Sequence, residues 1–222
     1  MEPPCCTICL DGGDDPVPIQ CGCACRGNGG LAHVACQVEV AARKQAGYHE
    51  GWHTCPTCGQ MFTGAMKLDL ARDLVSRMST RRRDDFDRLA AADNLGGALQ
   101  SVGELAEAAD VLAGVLAVAK RVYGKENPGT LGTATNLADT YGAQGRLAEA
   151  EELLVWVREA SQRVNGKEHP HTLAATASLA STYARQGRLD EAEALQVEVL
   201  AASRRVLGAE HRDTPISGNN LP

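Results

Sequence analysis

NLADTYGAQGRLAEAEELLVWVREASQRVNGKEHP, running from Asn136 to Pro170, decides the fold because the chain carries it in three versions. The earlier copy, Asn94 to Pro128, reads NLGGALQSVGELAEAADVLAGVLAVAKRVYGKENP. The later copy, Ser178 to Arg212, reads SLASTYARQGRLDEAEALQVEVLAASRRVLGAEHR. Matched positions stand 42 residues apart: Gly103, Gly145 and Gly187; Leu105, Leu147 and Leu189; Ala108, Ala150 and Ala192; Gly124, Gly166 and Gly208. Self-similarity at a fixed period of this length marks stacked units, none of which can bury its apolar face alone.

Each copy reads as two helices. Thr130 is placed to cap the first helix of the quoted copy, which is expected to run to about Ala143. Gly145 breaks it, and the second helix is expected from about Leu147 to Asn165. Leu147, Ala150, Leu154 and Val157 recur at three- and four-residue steps and make one apolar face. Ala138 and Ala150 are small enough for close helix contact, and Pro128 and Pro170 are expected in the connecting loops. Three such pairs over residues 84–214 predict a mainly α chain ending in an α-solenoid, with residues 215–222 as a disordered tail. His211 to Thr214 aligns with His169 to Thr172, where another first helix would start, but the chain runs on as PISGNNLP. No capping helix is therefore expected over the third copy, whose apolar edge is either covered by a partner or the mark of a truncated product.

Composition narrows the class. The 222 residues allow one large or two small domains. A net charge of −6, spread over both halves, argues against a nucleic-acid-binding surface. The longest apolar run, Val111 to Ala119, falls short of the ~20 residues that span a bilayer. The N-terminal MEPPCCTICL lacks the basic region and long apolar stretch of a secretory signal. The expectation is a soluble, cytoplasmic protein with no membrane or nucleic-acid partner. Residues 65–83 read as a helical linker with Met66, Leu70, Leu74, Val75 and Met78 on one face. Arg81-Arg82-Arg83 ahead of Asp84-Asp85 reads as a solvated junction, with a nuclear-localisation signal as the alternative.

All nine cysteines precede Gly59. Eight metal-ligand residues fall in a strict order: Cys6-x2-Cys9, Cys23-x-Cys25, His33-x2-Cys36 and Cys55-x2-Cys58. Thiolates and imidazole at such spacings suit tetrahedral zinc, and eight donors fill two sites. Tight Cys-x2-Cys pairs without a secretory signal point to metal rather than disulfides. Residues 1–64 hold few large apolar side chains, so this domain is expected to be unfolded without its two zinc ions. Val34 to Gln45 is its one clear helical stretch, with His33 and Cys36 one turn apart at its start. Cys5 and Cys21 read as packing or chance residues, and His49 and His53 as solvent-facing loop residues, since the set of eight is complete without these two histidines.

This ligand order, with the short Cys23-x-Cys25 pair and the seven residues RGNGGLA before His33, resembles a RING-CH (RING-variant) zinc finger over residues 5–62. The resemblance implies a cross-brace in which Cys6, Cys9, His33 and Cys36 hold one zinc and Cys23, Cys25, Cys55 and Cys58 hold the other. It also implies a ubiquitin-conjugating enzyme as partner and a RING-type ubiquitin ligase activity. Such domains form no covalent intermediate but hold the charged thioester in an attack-ready geometry. Ile8, Val40 and Pro56 match the docking positions for that enzyme. Val40 departs from the family's usual tryptophan, and Gly59-Gln60 stands where many active RINGs place a basic residue. These departures keep a non-enzymatic zinc-binding adaptor as the alternative. A PHD-like histone reader is the other zinc fold considered, for Trp52 three residues before Cys55.

The G-R-L-x-E-A turn and the x-Y-x-x-Q-G step resemble tetratricopeptide repeats, and the GKEHPHT loop with the 42-residue length resembles the kinesin light chain subtype. The resemblance implies a concave groove, lined by first helices, that takes a protein or peptide substrate. Asn94 and Asn136 occupy equivalent first-helix positions suited to holding a peptide backbone, and Ser178 takes the third.

Overall fold

The structure is a computed structural model that describes residues 20–21, 31–32, 34–43, 50–55 and 60–207. The chain divides into two compact units, Met1–Val111 and Leu112–Pro222. Its described part is mainly helical.

In the first unit, β1 (Gln20–Cys21) pairs antiparallel with β2 (Leu31–Ala32), matching Gln20 to Ala32 and Cys21 to Leu31. Helix α1 spans Val34–Arg43, beginning where the sequence pattern placed it. A short α2 (Glu50–His53) leads into a bridge between Thr54 and Met61, closed by hydrogen bonds from Cys55 N to Gln60 O and from Phe62 N to His53 O. Helix α3 (Gly64–Met78) packs against α4 (Phe86–Val102). The apolar positions read along the linker are the reason: Met66, Leu70 and Leu74 are 1%, 0% and 1% exposed. They join Ala41 of α1, Trp52, Cys55, Phe62, Met78 and Ala91 of α4 in one core. The opposite side of α3 sets Leu68 and Ala71 against Leu95, Ala98, Leu99 and Ala108. The helix read as a connection is thus a central element of its unit, buried on two sides.

Helix α5 runs Leu105–Val122, and the second unit continues with α6 (Pro128–Ala143), α7 (Leu147–Asn165), α8 (Pro170–Arg185) and α9 (Leu189–Leu207). Each of α6 to α9 packs on the next. Ala150, Leu154 and Val157 are buried as the apolar stripe requires, while Leu147 is only partly buried. Ala138 of α6, Leu154 of α7 and Leu179 of α8 meet in one cluster, with Tyr183 and Leu195 against it. Small alanines at the contact let the helix axes approach.

The helix starts differ from the sequence expectation. Thr130 does not cap α6: it is fully buried within the helix. The cap is Asn127, whose side chain accepts from the N–H groups of Gly129 and Thr130, and Pro128 is the first helical residue rather than a loop residue. Proline fits there because that N–H has no intrahelical partner to lose. Asp85 caps α4 and His169 caps α8, each 42 residues from Asn127, and Pro170 again opens the helix.

Candidate functional site

The solvent side of the first helices is built by helical spacing. Gly132, Asn136, Asp139 and Ala143 follow one another at three- and four-residue steps on α6, and Ala174, Ser178, Ser181 and Arg185 do so on α8. Two contacts show that these faces adjoin. Ser178 hydrogen-bonds the Asp139 carboxylate. A Cβ at Gly142 would stand 3.3 Å from Nη1 of Arg185. Asp139 is exposed by surface area, yet burial pushes its carboxyl above the usual range, and the Ser178 bond offsets this only in part.

The expected peptide-holding residues are placed differently from one another. Asn136 is partly buried on α6, and its main-chain oxygen accepts from Thr140. Asn94, on α4 in the first unit, has Nδ2 3.3 Å from Nε2 of His53. His53 is therefore a partly buried residue of α2 in contact with the first repeat, not a solvent-facing loop residue. Ser178 is occupied by Asp139. Asp139 and Arg185 were not foreseen, and the signal that finds them is a mismatch among copies: Gly97, Asp139 and Ser181 share one position, as do Ser101, Ala143 and Arg185.

Behind this face the turns lock the repeats together. Arg188 lies 3.9 Å from the Tyr183 ring centroid and pairs with Glu191 at 2.7 Å and with Glu151 of the preceding repeat at 2.7 Å. Gln186 adds a 2.9 Å bond to Glu151. The Arg188 guanidinium, with Gln186 beside it, holds the Glu151 carboxyl below its usual range. Arg146 repeats the local part of this set with Tyr141, Gln144 and Glu149. A second periodic pair joins Arg163 to Glu126 and Arg205 to Glu168.

Of the eight expected metal ligands, Cys36 and Cys55 are described. Cys36 is partly buried in the first turn of α1 and Cys55 is buried beside Trp52 in the core of the first unit. Cys6, Cys9, Cys23, Cys25, His33 and Cys58 lie outside the described residues, as do Ile8 and Pro56, and Val40 is partly buried on α1. Among the described residues no three potential ligands gather. The donor set of seven thiols and one imidazole fits zinc by its chemistry. Among the described residues no helix is long and apolar enough to cross a membrane.

The Tetratricopeptide repeat family model matches residues 87–163 and again 133–205, together more than half of the chain. No curated protein matches the sequence. Among solved structures, the chain is similar to the nearly identical TPR-like repeats of a Podosopora anserina protein classed as a kinesin light chain. Identity is 28%, the TM-score 0.63, and the match covers 85% of this chain and 83% of that one. BtubC (BKLC) from P. vanneervenii shares the fold at 18% identity and TM-score 0.62, over 70% of this chain and 62% of its own. A Rap protein complexed with competence and sporulation factor does so at 14% and 0.55, over 70% and 47%. With three sequence copies, paired helices in the same register and a family match over the same residues, the chain belongs to the tetratricopeptide-repeat family.

Proposed function

We propose that this chain is a protein-interaction scaffold that acts as a RING-type ubiquitin ligase. Its repeats hold a protein or peptide substrate on the first-helix face. Its cysteine-rich N-terminus holds two zinc ions and recruits a charged ubiquitin-conjugating enzyme. The interaction role is carried by the joint face of α6 and α8, where a crowded carboxylate and an arginine stand open to solvent on a fold built from stacked helix pairs. The ligase role is supported by the order of Cys6, Cys9, Cys23, Cys25, His33, Cys36, Cys55 and Cys58. No nucleophile or general base is required of this chain, because the gain comes from orienting the thioester. Cytoplasmic location belongs to the same reading.

A non-enzymatic adaptor is the second reading. Val40, partly buried on α1, offers a small aliphatic surface where the resembling family has a large aromatic anchor.

The test is ubiquitin discharge from a panel of charged conjugating enzymes by zinc-loaded full-length protein, beside an Ile8→Ala variant. Discharge that the variant loses supports the ligase. Protein carrying two zinc ions per chain but inert toward every enzyme leaves the adaptor. Protein that takes up no zinc removes the metal from both readings.

A further inference from the structure

We infer that the joint face of α6 and α8 selects an extended peptide bearing one basic and one acidic side chain two residues apart. The basic group would lie against Asp139 and the acidic group against Arg185. This rests on the reading of that face as the peptide-holding surface of the repeats.

Positions that recur every 42 residues hold the fold, and those that break the period need a local reason. Helix caps and turn glycines recur every 42 residues because every copy needs them. Asp139 and Arg185 break the period: their matches in the other copies are Gly97 and Ser181, and Ser101 and Ala143. The charge pair belongs to the junction of the second and third repeats alone.

Neither charge is neutralised among the described residues. Asp139 receives a hydroxyl hydrogen bond from Ser178 and pairs with no cation. Arg185 is exposed and pairs with no carboxylate, whereas Arg146, Arg158, Arg163, Arg188 and Arg205 of the same unit each hold one. The crowding that raises the Asp139 carboxyl makes its charge a cost to the free fold, which a bound cation would relieve.

Gly142 fixes the spacing. Nη1 of Arg185 lies 3.3 Å from where a Cβ of residue 142 would be, so the guanidinium crosses from α8 onto bare α6 backbone. Asp139 is three residues earlier on α6, roughly 4.5 Å along the helix axis at about 1.5 Å per residue. An extended chain advances ~3.3 Å per residue. Its side chains alternate faces, so opposite charges two residues apart share a face and meet both groups, and a like-charged peptide meets one of them unfavourably.

The experiment measures retention of fluorescent dodecapeptide pools by the full-length chain. The pools have randomised flanks and fixed centres Lys-Xaa-Glu, Glu-Xaa-Lys, Lys-Xaa-Lys or Glu-Xaa-Glu. At least one mixed-charge pool is expected to be retained about fivefold better than either like-charged pool, the scale of an exposed ion pair. Asp139→Lys is expected to move the preference to Glu-Xaa-Glu, and Arg185→Glu to Lys-Xaa-Lys. Circular-dichroism melts of both variants verify that the repeat fold is kept. Gly142→Ala suits a helix better than glycine; it displaces only the guanidinium and should weaken the acid-bearing pools alone. Equal retention of all four pools by wild type and variants overturns the charge selection and leaves a peptide-holding face. Retention of no pool overturns both.

Discussion

An imidazole caps α8 where a carboxylate caps α4 and an amide caps α6. The His169 ring accepts from the His171 N–H through Nδ1 at 3.2 Å and stacks on the His171 ring. One acceptor serves there, while the Asn127 oxygen reaches two N–H groups. Since asparagine is among the best caps, His169→Asn is expected to stabilise the chain by about 0.5–1 kcal/mol in chemical denaturation; a lower midpoint would show that the ring stack outweighs the cap. Glycine at the turns tests the opposite sign. Gly187 has φ +81°, a left-handed conformation that costs other residues about 1–2 kcal/mol, with nothing near its missing side chain. Gly187→Ala should therefore destabilise by that amount through the backbone alone, read as a shifted denaturation midpoint at constant slope. The turn glycines were legible from their recurrence. The caps were not, because Asp85, Asn127 and His169 share a position and a role but no residue type, and Thr130 offered a better-known signature nearby.

Helix α6, PGTLGTATNLADTYGA, contains three glycines and four threonines, a poor helix by propensity. Packing and local satisfaction make it: Thr135 and Thr140 donate to the carbonyls of Leu131 and Asn136, and Leu131, Leu137 and Ala138 are buried. Its register was readable because the 42-residue repeat carries more information than propensity. The clamp between repeats was not readable: Glu151 corresponds to Ala109 in the first copy, and its partners Gln186 and Arg188 lie 35 and 37 residues away. The clamp gives a pH dependence of definite sign. Glu149, Glu151 and Glu191 all sit below the ordinary glutamate value of 4.5 through their arginine partners. Their stabilisation is fully present above that value and is lost as pH falls through the lower folded values. Asp139, raised above its ordinary 3.8, has the opposite sign, since its ionisation disfavours the fold as pH rises. The melting temperature should thus fall on acidification below about pH 4.5. Glu151→Gln should lower it at neutral pH and make the acid limb shallower, with the neutral-pH loss smaller in high salt. An unchanged acid limb would mean that the clamp contributes nothing measurable.

At the scale of the molecule, the cysteine-rich region and the first helices of the repeat array share one core. Cys55 is buried with Trp52 and Phe62 against Met66, Leu70 and Leu74 of α3, and Ala91 of α4 closes the cluster. Arg77 of α3 lies 5.3 Å from the Trp52 ring centroid, and Asn94 of α4 meets His53. The sequence showed the zinc pattern and the repeats as separate modules because their periodicities differ. It could not show that the helix between them buries one side toward each. With zinc held as proposed, metal free energy is folding free energy for the cysteine-rich part, and the common core passes its loss to α3 and α4. Stripping the metal with a chelator is therefore expected to speed amide exchange in α2, α3 and α4 by at least about tenfold. Amides of α7 and α8, in the second unit with their own core of Ala138, Leu154 and Leu179, should change little. A Cys36→Ser variant should match the stripped protein over α3, and returning zinc should restore protection in the wild type alone. Exchange that stays slow in α3 while the cysteine-rich segments open would show that the helix holds its place on the first repeat without metal, and that the shared core transmits nothing.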